Sequence, residues 1–452
     1  MSHTIALRLI CGAGALTLAL GCGRVIAPED EEPRAVCAAS EEWHVVDERI
    51  DERAGQALLW FDGGPIVATH FRSLSGDSSS LEHFDARGDE IFRAAMNQRV
   101  SLITAHDDGF LAVGQGDGSP RRLTLEYHAG VAPFTWRASI ATEEDFWPAA
   151  AHVVGDALLV IGSQEPHSGA DKDVVVYGFT QRGEPRFSEV FGEEPPVIGQ
   201  SRDERVVGSY VSADLAVIVS QTWIDGAGGP VKAFAVDSGG EKRWEYSDAF
   251  QYARGTSWTV TPTSDGGALI TGSPSAGGIA SGSARLLRLD AAGKLLWERT
   301  LKDPVIEEPE VMAAAALPSG GFFLTGLGSG PLAHSWILDE DGAPLLAISH
   351  DDDQLAGAPS FSRVEVMPSG GVLLASEKRD SAGGALNLLR VDEDGQALWQ
   401  HRIAGAGIGF ISDLIVSPDD HVVLAGRFAK EDSADERHVL QLSDACQLTA
   451  DR

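Results

Sequence analysis

The chain has 452 residues, with 67 acidic side chains against 35 basic ones and a formal charge of -32 at pH 7. A surface this negative excludes nucleic acid and anionic lipid as direct partners, because both are gripped by clustered cations. At 43% hydrophobic and 23% charged residues the chain is foldable, and its length alone suits two to four domains. The 51 glycines follow no collagen period and read as turn markers.

Residues 1–21 carry one cation, Arg8, ahead of an apolar and small-residue run from Leu9 to Gly21. That run is too short and too rich in Gly and Ala to span a bilayer, but it suits the core of an export signal. It ends Ala19-Leu20-Gly21-Cys22, which resembles the bacterial lipoprotein signal. The resemblance implies cleavage before Cys22 and lipid attachment to it, although Ala19 stands where the family usually has Leu. Residues 22–40 then form an acidic tether, in which Pro28-Glu29-Asp30-Glu31-Glu32-Pro33 has no apolar period. The expected location is the bacterial cell envelope, at the outer membrane, with the lipid as the only membrane contact.

From residue 41 onward the chain repeats itself. Asp62-Gly63-Gly64 leads PIVATH and then LEHFDARGDEIF; Asp107-Asp108-Gly109 leads FLAVG and closes at Trp136. Gly155-Asp156 leads ALLVIG, with Phe187 at the closing position, and Ser212-Ala213-Asp214 leads LAVIVS and closes at Trp244. Ser264-Asp265-Gly266-Gly267 leads ALITG and closes at Trp297, and Pro318-Ser319-Gly320-Gly321 leads FFLTG. Pro368-Ser369-Gly370-Gly371 leads VLLAS and closes at Trp399, and Pro418-Asp419-Asp420 leads HVVLAG. The residues before these apolar runs recur at intervals of 45 to 58. Each unit has a further strand before its turn, such as SWTVTP or FSRVEVM. Four short strands at this period predict an all-β fold, an eight-bladed β-propeller with seven blades as the alternative. The units make one domain, residues 41–448, because a blade cannot cover both its faces alone. Helix content is expected to be near zero.

The eighth unit stops after HVLQLSD and lacks the strand that carries Trp elsewhere. Trp43-His44-Val45-Val46 matches Trp297-Glu298-Arg299-Thr300, so an N-terminal strand should complete the last blade. Of four cysteines, Cys11 lies in the signal and Cys22 is the lipid site, leaving Cys37 and Cys446. Cys446 falls where other units have the turn glycine, and Cys37 just precedes the Trp43 strand. A disulfide there would replace the missing turn, and an exported compartment permits it. Closing a loop of about 410 residues stabilises by up to about 6 kcal/mol in the chain-entropy treatment.

The runs LDAAGKLLWE, VDEDGQALWQ and VDSGGEKRWE resemble the tryptophan-docking repeat of PQQ-like, quinoprotein-dehydrogenase-type propellers. That resemblance implies that Trp43, Trp136, Trp244, Trp297 and Trp399 pack between adjacent blades. The family's enzymes hold a quinone beside a ring of adjacent cysteines; this chain has no Cys-Cys pair, so no cofactor is expected.

No catalytic residue and no metal site is assigned. Asp339-Glu340-Asp341-Gly342 and Asp392-Glu393-Asp394-Gly395 have the carboxylate spacing of a calcium loop, but sit at the hairpin turn and lack a closing Glu. His70, His106, His152 and His421 lie near turn-strand junctions and read as structural; Trp147, Trp223 and Trp258 fall outside the repeat position and are the candidates for an exposed rim, with core packing as the alternative for each. The expected function is a non-catalytic, lipid-anchored, monomeric binding or scaffold module for a protein or glycan partner in the cell envelope. The alternative is a propeller enzyme, hydrolase or quinoprotein-like, with a channel site assembled from several blades.

Overall fold

The computed structural model describes residues 40–443 apart from short stretches between strands: 51–55, 74–75, 97, 117–121, 131–134, 143–144, 166–171, 193–201, 225–226, 249–256, 274–283, 303–305, 307–308, 328–332, 351–360, 379–383, 406–407 and 430–434. Cys22, Cys37 and Cys446 lie outside the described residues, as do the signal and most of the tether.

Burial follows the strand patterns. Gly109–Gly116 is buried along almost its whole length, whereas Trp136–Ala141 alternates between half-buried and exposed. A strand covered on both faces reads as a continuous apolar run, and one at a wet edge alternates. Thirty-two strands accordingly form eight four-stranded antiparallel sheets, and every regular element among the described residues is a strand. Blades 1 to 7 are consecutive meanders over residues 56–96, 99–141, 145–191, 202–247, 257–300, 310–350 and 361–405. The fold is an eight-bladed propeller, the architecture that the PQQ-like resemblance implies.

Blade 8 takes three strands from residues 408–443 and its fourth, Ser40–Ile50, from the other end of the chain. The register is informative. Trp43 pairs with Gln441, which pairs with Val423. In blade 7 Trp399 pairs with Arg390 and that with Leu373; in blade 5 Trp297 pairs with Arg288 and that with Leu269. The same position is held by Phe92, Trp136, Phe187 and Trp244 in blades 1 to 4, and by Leu346 in blade 6. The N-terminal strand also repeats the irregularity, between Glu41 and Trp43, that other blades show one residue after their turn. In those blades a turn ending in a left-handed glycine dictates that bulge. In blade 8 the strand takes up the same register without the covalent hairpin.

The hydrophobic core is divided among the seams. Eight buried apolar clusters occur among the described residues, and each draws on two neighbouring blades. Leu373, Leu386 and Trp399 of blade 7, for example, pack with Leu414, Leu424 and Leu440 of blade 8. The closing seam is held by Leu58, Val67 and Phe84 against Val423, Ala425 and Val439. The first strand of every blade touches the first strands of both neighbours, which completes the ring.

Not every repeated glycine marks a turn. The first strands of blades 2, 3, 4, 6, 7 and 8 carry a bulge at one shared level, between partners Gly114/Val113, Gly162/Ile161, Ser220/Val219, Gly326/Thr325, Ser376/Ala375 and Gly426/Ala425 of the second strand. The bulge drives backbone onto the opposite residue. A Cβ on Gly114 would stand 2.1 Å from the carbonyl oxygen of Arg99, and one on Gly326 only 1.7 Å from that of Glu310. The glycines that end these apolar runs at 114, 162, 326 and 426 are therefore close-approach sites within a blade.

Candidate functional site

Two sets of functional groups are built by this ring: the seams, and the channel lined by the first strands. At the seams, tryptophans meet the turns of the following blade. Trp136 lies against Gly183, Trp244 against Gly293 and Trp297 against Gly342, while Phe187 lies against Gly240. The Trp297 Nε1 donates to the Glu340 carbonyl oxygen at 3.0 Å. Trp399 is 1% exposed. Trp43 holds the equivalent backbone register in blade 8.

The turn aspartates are occupied by their own backbone. Asp392 Oδ1 accepts from the N–H groups of Asp394 and Gln396 at 3.0 and 2.8 Å, Asp290 Oδ1 does the same for Ala292 and Lys294, and Asp339 Oδ1 accepts from Ala343. This is the Asx-turn chemistry that suits Asp at the first turn position. No group of three or more metal-ligating side chains occurs among the described residues.

Bulges free backbone groups, and the preceding blade captures several of them. Ser79 Oγ accepts from Val100 N at 2.9 Å, Ser163 Oγ from Val206 N at 3.4 Å, and Glu377 Oε1 from Ile411 N at 2.8 Å. Gln115 donates to the Phe146 carbonyl oxygen, Thr261 Oγ1 to that of Ala314, and Leu58 N to Asp413 Oδ2. Six seams are thus pinned by a side-chain hydrogen bond as well as by apolar packing. Histidines join in: His106 Nε2 meets the Gln181 carbonyl oxygen at 3.1 Å, and His421 stacks on Trp60 across the closing seam with centroids 5.8 Å apart.

The first strands of blades 4 to 7 line an open pocket of about 380 Å³, with Ser209, Thr259, Met312, Ser362 and Arg363 among its lining residues. Beside it His152 Nε2 sits 2.8 Å from Ser209 Oγ, and burial pushes the imidazole down to about 4, so it is neutral at pH 7. On the first strand of blade 7, burial lifts the Glu365 carboxyl to about 7; the neighbouring Asp413 charge adds to the lift and Arg363 opposes it. Asp413 is itself raised by burial, against hydrogen bonds from the Leu58 and Leu414 amides. Farther out in blade 4, Lys232 Nζ and Glu204 Oε1 form a buried pair at 3.1 Å.

The rim tryptophans have distinct fates. Trp258 is buried against Gly272, whereas Trp147 and Trp223 are half-buried under the guanidinium groups of Arg99 and Arg205, 5.9 and 5.4 Å from their ring centroids. His152–Ser209, Glu365–Asp413 and Lys232–Glu204 were not legible as sites. The only signal in the chain is a charged or imidazole residue inside an apolar strand, as in VKAFAV or FSRVEV.

The class defined here is an eight-bladed, four-stranded antiparallel propeller closed by its N-terminal strand. No protein family matches the sequence, and no curated protein matches it by sequence. Among solved structures the chain is similar to Sqt1 from Chaetomium thermophilum, at 13% identity and a TM-score of 0.55 over 89% of this chain and 99% of that one. It is also similar to BamB from Moraxella catarrhalis, at 12% identity and a TM-score of 0.46 over 89% of this chain and 100% of that one. The polysaccharide lyase Uly1 aligns at 10% identity with a TM-score of 0.46, over 86% and 89% of the two chains. The likeness to Sqt1 is one of fold, and a ring of this kind carries many unrelated tasks.

Proposed function

We propose that the protein is a cell-envelope β-propeller, anchored through lipid on Cys22, that acts as a binding or scaffold module for a protein partner. The observation that carries this reading is the use made of interior polar groups. Ser79, Gln115, Ser163, Glu377, Asp413 and the turn aspartates all bond backbone that holds the ring together. A ring pinned this way is a stiff platform whose variable surface is left for recognition. The Cys22 anchor and a Cys37–Cys446 clasp belong to the same proposal: lipid would hold the platform at the membrane, and the clasp would secure the strand that closes blade 8.

Cross-linking in native membranes, followed by mass spectrometry of the captured complexes and of the N-terminal peptide, tests it. A stoichiometric partner together with a lipid-modified Cys22 is expected. An unmodified Cys22 removes the anchor, and the absence of any partner at native abundance removes the scaffold.

One geometry favours a hydrolase instead, the contact between His152 Nε2 and Ser209 Oγ at the wall of the pocket. Covalent labelling of Ser209 by a fluorophosphonate, abolished by His152→Ala, would decide for that reading.

A further inference from the structure

Among the described residues the fourth strand of each blade is an outer edge, paired on one side only. Such edges template pairing with other chains unless charges or distortions blunt them. Seven of the eight outer strands carry charged side chains, among them Glu90 and Arg93, Arg137, Arg186 and Glu189, Glu298 and Arg299, and Arg402. Blade 6 departs from this. Its outer strand, Pro344–His350, reads PLLAISH and contains no Asp, Glu, Lys or Arg.

The same strand breaks the repeat in a second way. Leu346 occupies the position that holds Phe or Trp in the other seven blades. Gly395 of blade 7, the counterpart of the glycines that meet an indole, faces Ile348 and Ile337 instead. Leu346 is 37% exposed, where its counterpart Trp399 is 1% exposed; Leu345, 63% exposed, holds the position that Ile91 and Leu296 also expose in blades 1 and 5. The strand has surrendered an aromatic seam contact and presents apolar side chains outward. Pro344 lacks an N–H only at the first position and Leu345 is the bulged residue that follows the turn, so the regular pairing edge is residues 346–350.

We propose that this edge of blade 6 docks an extended segment of another protein, which adds as a fifth strand. The proposal rests on the binding reading above and names the surface and the chemistry of the partner. Backbone pairing recognises any extended strand, and Leu345 and Leu346, on opposite faces of the edge, select an apolar side chain on each face of the added strand. Charge fixes the flanks. The turn that leads into the strand carries Asp339, Glu340 and Asp341, the last two exposed, so the docking segment is bordered by basic residues. A second copy of this chain is a poor occupant, because each copy carries a formal charge of -32.

The test uses the full chain and a synthetic peptide of alternating valine and threonine with two lysines at each end, read by fluorescence anisotropy and amide hydrogen exchange. Binding is expected to slow exchange at residues 346–350 and to weaken as salt rises. Leu345→Lys and Leu346→Lys are expected to weaken it by about tenfold or more, as is exchanging the peptide lysines for glutamates. Leu296→Lys, at a leucine 51% exposed on the charged outer strand of blade 5, should leave affinity within about twofold. Protection on another blade, or equal losses in the Leu296 and Leu345 variants, overturns the proposal. So does protection of residues 346–350 in the free protein that grows with its concentration. A membrane partner that Leu345→Lys still captures would refute this edge and leave the scaffold reading standing.

Discussion

Gly293→Ala separates what the repeat glycine does for the backbone from what it does for packing. Gly293 has φ +77°, and a Cβ there would stand 2.2 Å from Cε3 of Trp244 in the preceding blade. Gly63 has nearly the same backbone, φ +79°, with nothing within 4 Å of its added Cβ. Placing alanine in the left-handed region costs about 1–2 kcal/mol at either site. At Gly293 the methyl group must also displace a ring packed in the seam of blades 4 and 5, which adds about 1–3 kcal/mol. Gly63→Ala should therefore lose about 1–2 kcal/mol and Gly293→Ala about 2–5. Urea unfolding followed by near-ultraviolet circular dichroism measures both, with the m-value checking that the transition is unchanged. Adding Trp244→Ala removes the obstacle, so the double variant should show a favourable coupling of about 1–3 kcal/mol. If the two glycine variants lose the same stability, or the double-mutant coupling is zero, the indole does not bear on the following turn and the account of the seams fails.

Two further outcomes follow from buried charge. Lys232→Met leaves the Glu204 carboxylate buried without its ammonium partner and should cost about 3–5 kcal/mol, whereas replacing both residues by apolar ones of similar volume should be near neutral; equal losses in thermal melts of the single and double variants would contradict this. For Glu365, burial and Asp413 raise the folded-state pKa from 4.5 to about 7, so folding favours the protonated acid. Its stabilising contribution is whole below about pH 4.5 and is lost as pH rises through about 7. Glu365→Gln stays neutral, and its stability relative to the natural protein should improve between about pH 4.5 and 7 and level off above that; a constant difference over that window would refute the buried-acid reading.

The blade count, the four-strand unit and the closing N-terminal strand were legible because each is written into local pattern. Asp-x-x-Gly demands a particular turn, an apolar run bounded by turns demands a strand, and a Trp43 segment without its own hairpin demands a partner elsewhere. The sequence also marked the exceptions without explaining them: the Gly or Ser after most apolar runs, and a sixth unit with no aromatic residue at its closing position. In the sequence Gly114 and Gly326 look like any turn glycine; the structure places them opposite bulges, because a close approach between strands has no signature within one strand.

Tertiary structure alone decided which groups meet across a seam. Asp413 reaches Leu58 from the far end of the chain, His152 meets Ser209 from the next blade, and the Glu365 carboxyl titrates late because its surroundings exclude water. Periodicity specifies what each unit must bury, since burial depends on the residue's own chemistry. Pairing across the ring depends on register and closure, which are properties of all eight blades together. The uncharged edge of blade 6 belongs to both: its composition is visible in PLLAISH, and its exposure exists only because that strand is the outermost of its sheet.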